Sequence, residues 1–311
     1  MYYPYFRGKL NELIVVRETA ELIASSSIYP VIEPVKESFN GIIRTFDAVH
    51  KAKGSATLVI NPEFGFYKEQ PQATSDFFSD ELSGKDGLRA GILLRESTSL
   101  DELSRMHALH KDHPITCIHA GFSNPDHVLS TFDAKADIKH IFLDNKCGLL
   151  YRKRFGNMDR SLIKNGFIKR PNKEYPDVEF FSELHVTYEE MSLNGFGDYL
   201  IVGDEYSESG GPAWAVAIHL TFINHENDDV MDIFHFKSDR SDTNTDAPGK
   251  FAEALDKLVA EVNRDDSMVL RTEAVNEFLS LHDRGHFPGL GYVKKLSMQH
   301  HLETLAEYLS R

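Results

Sequence analysis

The chain has 311 residues, 41% hydrophobic and 26% charged, a globular composition that excludes wholesale disorder. Its 34 basic against 48 acidic residues leave a net charge of −14, which argues against direct nucleic-acid binding and an anionic membrane partner and favours a basic one. No window reaches 18 apolar residues, the N-terminus lacks a signal-peptide pattern, and Cys117 and Cys147 stand outside any CxxC, so a reducing cytoplasm is expected.

In chain order, short apolar β-branched runs alternate with helical patterns. The runs are Tyr2–Phe6, Tyr29–Val35, Ala56–Ile60, Ala90–Arg95, Ile115–His119, His140–Asp144, Ser161–Ile163 and Asp198–Val202. Continuous hydrophobicity suits parallel strands buried on both faces. Helices are predicted over Lys9–Ala24, Phe39–Lys53, Ser99–His110, Pro125–Phe132 and Val178–Met191, with a long polar connection around Gln70–Lys85. Ser99 with Glu102 forms a capping box. Eight runs alternating with helices predict a (β/α)8 TIM-barrel-like α/β fold over residues 1–205, a seven-run count leaving an open doubly wound sheet as the alternative.

After a turn cluster at Ser207–Pro212 the pattern changes. Trp214–Ile223 and Val230–Phe236 alternate around Asn-His-Glu-Asn-Asp-Asp and predict an antiparallel hairpin. Helices follow over Asp246–Arg264, capped by Asp246, then Thr272–Leu281 and Ser297–Ser310. Residues 206–311 are thus expected to be a C-terminal hairpin and helical extension packed on the same domain.

The charge is local. From Glu174 to Phe236 there are 14 acids and no Lys or Arg, so the rest of the chain sums to zero. Upstream, Lys139–Lys173 holds ten basic residues against Asp144 and Asp159. These blocks either neutralise each other as solvated faces or, on the sharper reading, present an acidic docking surface. Its expected partner-binding residues are Asp204, Glu205, Glu208, Glu226, Asp228, Asp229 and Asp232. The block Tyr151-Arg-Lys-Arg-Phe155 interleaves basic and aromatic residues and offers a weaker, RNA-binding alternative.

Barrel active sites lie at C-terminal strand ends. Those ends offer Arg7, Glu33, Asn61, Arg95, Glu96, His119, Asp144, Lys164, Asp204 and Glu205. A hydrolase reading takes Glu33, His119, Asp144 and Asp204 as its acid–base or metal-assisted set. The phosphate-cradle, zinc-protease and nucleophile-elbow motifs are absent, and neither metal nor cofactor is called for. His107, His110 and His113 share a helix end without an acidic or Cys ligand at fixed spacing, Gly289-Leu-Gly291 reads as a turn, and His282, His286, His300 and His301 read as packing or capping residues.

The opening Met1-Tyr-Tyr-Pro-Tyr-Phe-Arg-Gly-Lys-Leu-Asn-Glu-Leu, the strand Pro30-Val-Ile-Glu-Pro-Val35, and the endings Phe287-Pro-Gly-Leu-Gly291 and Ser297-Met-Gln-His-His301 resemble the phage-type beta protein family, a poorly characterised bacterial family. The resemblance implies a barrel-like α/β fold and a setting in phage or interbacterial conflict, and supplies no catalytic residues. With the acidic window, it motivates the leading expectation of a cytoplasmic immunity protein that neutralises a basic nuclease toxin by occluding its substrate site. The alternative is a phosphodiesterase-like barrel hydrolase.

Overall fold

The computed structural model describes residues 1–132, 137–208, 211 and 213–311. The expected Ser207–Pro212 turn lies partly outside them. The chain forms two compact units, residues 1–165 with 187–199, and 166–186 with 200–311.

In the first unit the strands are β1 (Tyr5–Phe6), β2 (Val31–Ile32), β3 (Ala56–Val59), β4 (Leu88–Arg95), β5 (Ile115–Ala120), β6 (Ile138–Leu143), β7 (Asp159–Ile163) and β9 (Gly195–Gly197). All seven neighbouring pairs are parallel and follow that order. The ends of the sheet meet: Phe196 bridges Tyr2 in parallel, and the amides of Tyr3 and Tyr5 donate to the carbonyls of Phe196 and Asp198 at 2.8 and 2.9 Å. This is the expected TIM-barrel-like fold.

Its last strand is not the predicted one. Residues 198–202 are not a strand, and Leu200–Val202 is a 3-10 turn. The closing strand is Gly-Phe-Gly because the segment leading into β1 lies against it. A Cβ on Gly195 would come within 2.8 Å of the Tyr3 ring, and one on Gly197 would strike the Tyr3 carbonyl.

The lumen is filled by Tyr3, Tyr5, Val31, Val59, Leu93, Ile118, Ala120, Ile141, Leu143, Ile163 and Tyr199, which pack as one cluster. Residues of opposite parity on each strand face the outer layer. Outside the strands lie α1 (Leu10–Glu18), α2 (Ala20–Ser25), α3 (Asn40–Lys51), α4 (Pro71–Phe77), α5 (Leu100–His110), α6 (Pro125–Thr131) and α7 (Leu149–Lys153). The single helix expected over Lys9–Ala24 breaks at Thr19, whose hydroxyl donates to the Val15 carbonyl at 2.8 Å. The expected polar connection at 70–85 is largely helical, because Thr74, Phe77, Phe78 and Leu82 are buried there. Ser99 caps α5 as predicted, accepting from the Glu102 amide at 3.1 Å.

In the second unit, β10 (Ala217–Asn224) and β11 (Val230–Lys237) form the expected hairpin, and β8 (Val178–Ser182) adds to β11 antiparallel. The helix predicted over Val178–Met191 is therefore wrong over most of its length: Val-Glu-Phe-Phe-Ser is strand, and only α8 (Leu184–Thr187) is helical. One face of β10 (Ile218, Leu220), with Val216 just before it, packs with α9 (Ala247–Val262), α10 (Glu273–Asp283) and α11 (Leu290–Leu309). Asp246 caps α9, accepting from the Gly249 amide at 3.0 Å, and Gly289, at φ 92°, is the turn before α11.

Candidate functional site

At the barrel's strand ends Arg7, Glu33, Asn61, Arg95 and Asp144 are engaged within the protein. Glu33, fully buried after β2, accepts from the Tyr5 hydroxyl at 3.0 Å, from Arg7, and from the Glu63 and Phe64 amides at 2.6 and 3.1 Å. The Arg7 guanidinium is enclosed by the rings of Tyr5, Phe64 and Tyr199 at 5.0, 4.8 and 5.6 Å. Both ends of the Asn61 amide bond the backbone of Leu93, at 2.8 and 2.9 Å. Arg95 faces Glu102 at 3.8 Å, and Asp144 accepts from Arg152 at 3.0 Å. A carboxylate that already accepts four hydrogen bonds has no lone pair to spare for a substrate.

His119 does not face the lumen. Its strand neighbours Ile118 and Ala120 do, so its ring lies outside the wall. There Nε2 meets His140 Nδ1 at 3.0 Å, Nδ1 meets the Tyr151 hydroxyl at 2.8 Å, and the ring stacks on Phe142 at 4.3 Å. Burial, then the neighbouring His140, holds its pKa well below the ordinary histidine value. Asp204 belongs to the other compact unit. No hydrogen bond or ion pair joins Glu33, His119 and Asp144 among the described residues. Tyr151, offered for base stacking only in the weaker RNA-binding alternative, is engaged with His119, while Arg152 and Arg154 pair with Asp144 and Asp126. His110 bonds Ser75 at 2.7 Å and His113 at 3.1 Å, and no metal-ligand cluster occurs among the described residues. Both cysteines are buried and free.

The seven acidic residues divide into two groups. Glu226, Asp228, Asp229 and Asp232 sit at or beside the β10–β11 turn, where Asp229 meets His225 at 2.6 Å and Asp232 accepts from Asn224 at 2.7 Å. Asp204, Glu205 and Glu208 lie in another loop, with Glu205 4.0 Å from Lys169. Lys169 and Ala217 line one cavity, and the hairpin turn lies the length of β10 away, roughly 25 Å at about 3.4 Å per residue.

That cavity, about 660 Å³, belongs wholly to the second unit. It is lined by four cations, Lys169, Arg170, Lys173 and Lys294, and by the rings of Phe167, Tyr175, Trp214 and His219. Its back wall is built by the hairpin. Register places His219 directly opposite His235, on the face turned away from the helical core, and their Nδ1 atoms are 2.7 Å apart. His235 Nε2 meets Glu179 Oε1 at 2.9 Å, and Glu179 Oε2 accepts from Arg170 at 2.8 Å. Tyr175 stacks on His235 at 4.5 Å, and the edges of Tyr175 and Phe167 enclose His219 at 4.9 and 5.0 Å.

The chain of hydrogen bonds assigns the tautomers. A carboxylate only accepts, so His235 donates from Nε2 and presents a lone pair at Nδ1. His219 then donates from Nδ1 and keeps a lone pair at Nε2. Burial lowers the His235 pKa to about 4, against the opposing pull of Glu179, and burial, with His235 and Lys294, holds His219 well below its ordinary value.

Sequence reasoning passed over this site. The signal for half of it was present: with Asn224 and Val230 flanking the turn, antiparallel counting pairs position 219 with 235. Glu179 was hidden by the helical reading of its segment.

No protein-family model matches the chain, and no curated protein matches it. Among solved structures it is similar to the endo-1,4-beta-mannanase from Rhizomucor miehei, at 9% identity and a TM-score of 0.39, over 60% of this chain and 82% of that one. Nothing about chemistry follows from so distant a likeness. The class the fold defines is a TIM-barrel-like α/β protein, joined to a second unit of antiparallel sheet and helices that carries a cationic, aromatic cavity. No helix among the described residues is long and apolar enough to cross a membrane.

Proposed function

We propose that the second unit is a receptor for a phosphate-bearing, ring-containing ligand of the nucleotide class. The observation that carries this reading is the lining of one cavity by four cations and the half-exposed Trp214 ring, beside the buried rings of Phe167 and Tyr175. Lys and Arg supply charge-assisted bonds to phosphate oxygens, and aromatic faces stack on a base. The volume of about 660 Å³ falls inside the usual range for small-ligand sites, roughly 300–1,000 Å³. The net charge of −14 does not oppose it, because attraction depends on the local field, and here the cations are clustered.

Trp214 is the sole tryptophan, half exposed and in the lining, so its fluorescence reports on the cavity alone. Titration with ADP is expected to change Trp214 emission saturably, with weaker responses to adenosine and to inorganic phosphate. Lys294→Glu is expected to weaken ADP by about tenfold to a hundredfold, the equivalent of one charge-assisted contact. An unchanged spectrum together with no calorimetric heat would end this reading.

A second reading, the immunity protein, is favoured by the exposed hairpin turn with Glu226 and Asp228, and by the resemblance to the phage-type beta protein family. In it this cytoplasmic chain meets a basic nuclease domain and covers its substrate groove. Reversing Asp204, Glu205, Asp228 and Asp229 to Lys is expected to slow association several-fold at low salt and to abolish protection from the nuclease. Unchanged association and protection would remove the acidic surface from consideration.

A further inference from the structure

We propose that Glu179, His235 and His219 form a proton relay that makes His219 a general base, hydrolysing the phosphoanhydride of a nucleoside diphosphate or triphosphate held in the second unit's cavity. The inference deepens the nucleotide-receptor reading and rests on it.

The geometry points there in three steps. First, the relay is directional: a carboxylate at one end fixes both imidazole tautomers, so the lone pair left over is His219 Nε2. Second, His219 lines the cavity and is partly exposed there, and no residue among those described bonds its Nε2. Third, the charge created by taking up a proton need not stay on His219. When Nε2 is protonated, the Nδ1 proton can pass across 2.7 Å to His235, and the resulting imidazolium lies 2.9 Å from the Glu179 carboxylate. A nucleophile-activating base oriented by a third group is the logic of hydrolytic triads, extended here by one ring. A histidine with only packing to do would not require a buried partner and a carboxylate in line behind it.

The step balances. Water gives a proton to His219 Nε2 as its oxygen bonds to the terminal phosphorus. The bond from that phosphorus to the bridging oxygen breaks, and its electron pair leaves on the shortened nucleotide. That leaving group is a phosphate oxygen and needs no proton from the protein. Lys169, Arg170, Lys173 and Lys294 compensate the charge on the non-bridging oxygens. The proton is then released from the relay to solvent.

The titration of the relay is set by the groups around it. His219 faces His235, Tyr175 and Lys294, and His235 faces Glu179, Arg170, Lys237 and Tyr175. Three cations and burial oppose protonation while one carboxylate favours it. The acid limb of kcat/KM is therefore expected well below neutral pH.

The test uses the full chain with ADP as probe, following binding by Trp214 emission and turnover by phosphate release. The expected result is that His219→Asn still binds ADP saturably by Trp214 emission but loses about a hundredfold or more in kcat, the contribution of a general base. Glu179→Gln, a change in a positioning residue, is expected to lower kcat and move the acid limb to lower pH, because a neutral amide stabilises the His235 imidazolium less. Binding of ADP without phosphate release, or release that survives His219→Asn, would overturn the relay and leave the receptor reading standing. Absence of ADP binding would overturn both, and circular dichroism of each variant separates a lost relay from a lost fold.

Discussion

Acidification from pH 7 to pH 4.5 is expected to lower the melting temperature steeply, with most of the loss between pH 6.5 and pH 4.5. Four buried histidines carry this expectation. Burial lowers the pKa of His110, His140, His235 and His300 to about 4 each. In the unfolded chain a histidine takes its proton near pH 6.5. Between those values the unfolded state binds more protons than the folded state, so stability rises with pH there. The contribution is complete above about 6.5 and disappears as pH falls toward about 4. Each group accounts for on the order of 3 kcal/mol across the window. His110 and His140 lie in the barrel, His235 and His300 in the second unit, so each unit carries two. Two such groups are comparable with the whole stability of an ordinary domain, about 5–15 kcal/mol. Their neutral forms are also bonded in place: His300 meets the Thr272 hydroxyl at 2.8 Å and the Thr221 carbonyl at 2.7 Å. Thermal melts by circular dichroism at half-unit pH steps provide the check. A melting temperature that stays level from pH 7 to pH 4.5 would show that these histidines are protonated in the native state.

The second large effect is expected from Glu33→Ala. It strips the acceptor from the Tyr5 hydroxyl and the Glu63 and Phe64 amides, and removes the Glu33 carboxylate from the buried Arg7 guanidinium. Breaking one partner of a buried ion pair costs about 3–5 kcal/mol. The urea midpoint should fall accordingly, with the slope unchanged. Replacing both members, as Arg7→Met with Glu33→Leu, should recover part of the loss, since no charge is then stranded. Recovery should be incomplete, because each amide or hydroxyl left unmet costs about 1–3 kcal/mol. An unaltered midpoint in Glu33→Ala would return this carboxylate to the list of residues held ready for chemistry.

Much of the barrel was legible because both-sided burial writes itself as unbroken apolar runs, and seven of the strand positions follow from them. The closing strand was not, because its constraint is the approach of another backbone. Close approach selects glycine, and Gly195-Phe-Gly197 carries no β-branched signal. Asp198–Val202 attracted the assignment because it is apolar, but its apolarity serves a turn. Val178–Ser182 was misread for a related reason: a five-residue strand with Val178 and Phe180 exposed lacks the alternation that marks a half-buried strand. For the sites, the error over His119 was one of parity. Strand ends locate residues along the barrel axis but say nothing of inside against outside until one lumen residue is known. Glu33 was found by position, yet only its four donors reveal that it is already spent.

The strand β8 has a consequence for inheritance. Residues 166–186 leave the barrel between its seventh and closing strands, supply β8 to the other unit's sheet, and return. Each unit is thus written in two pieces of gene, interleaved with the other's. No single break in the coding sequence could donate either unit whole to another protein, and a break at the expected boundary of 205 and 206 would separate Glu179 from both histidines of its relay. During synthesis, β8 must likewise wait for β11 to emerge. The two units are therefore tied to a common folding schedule, neither being complete until the other's first segment has been made.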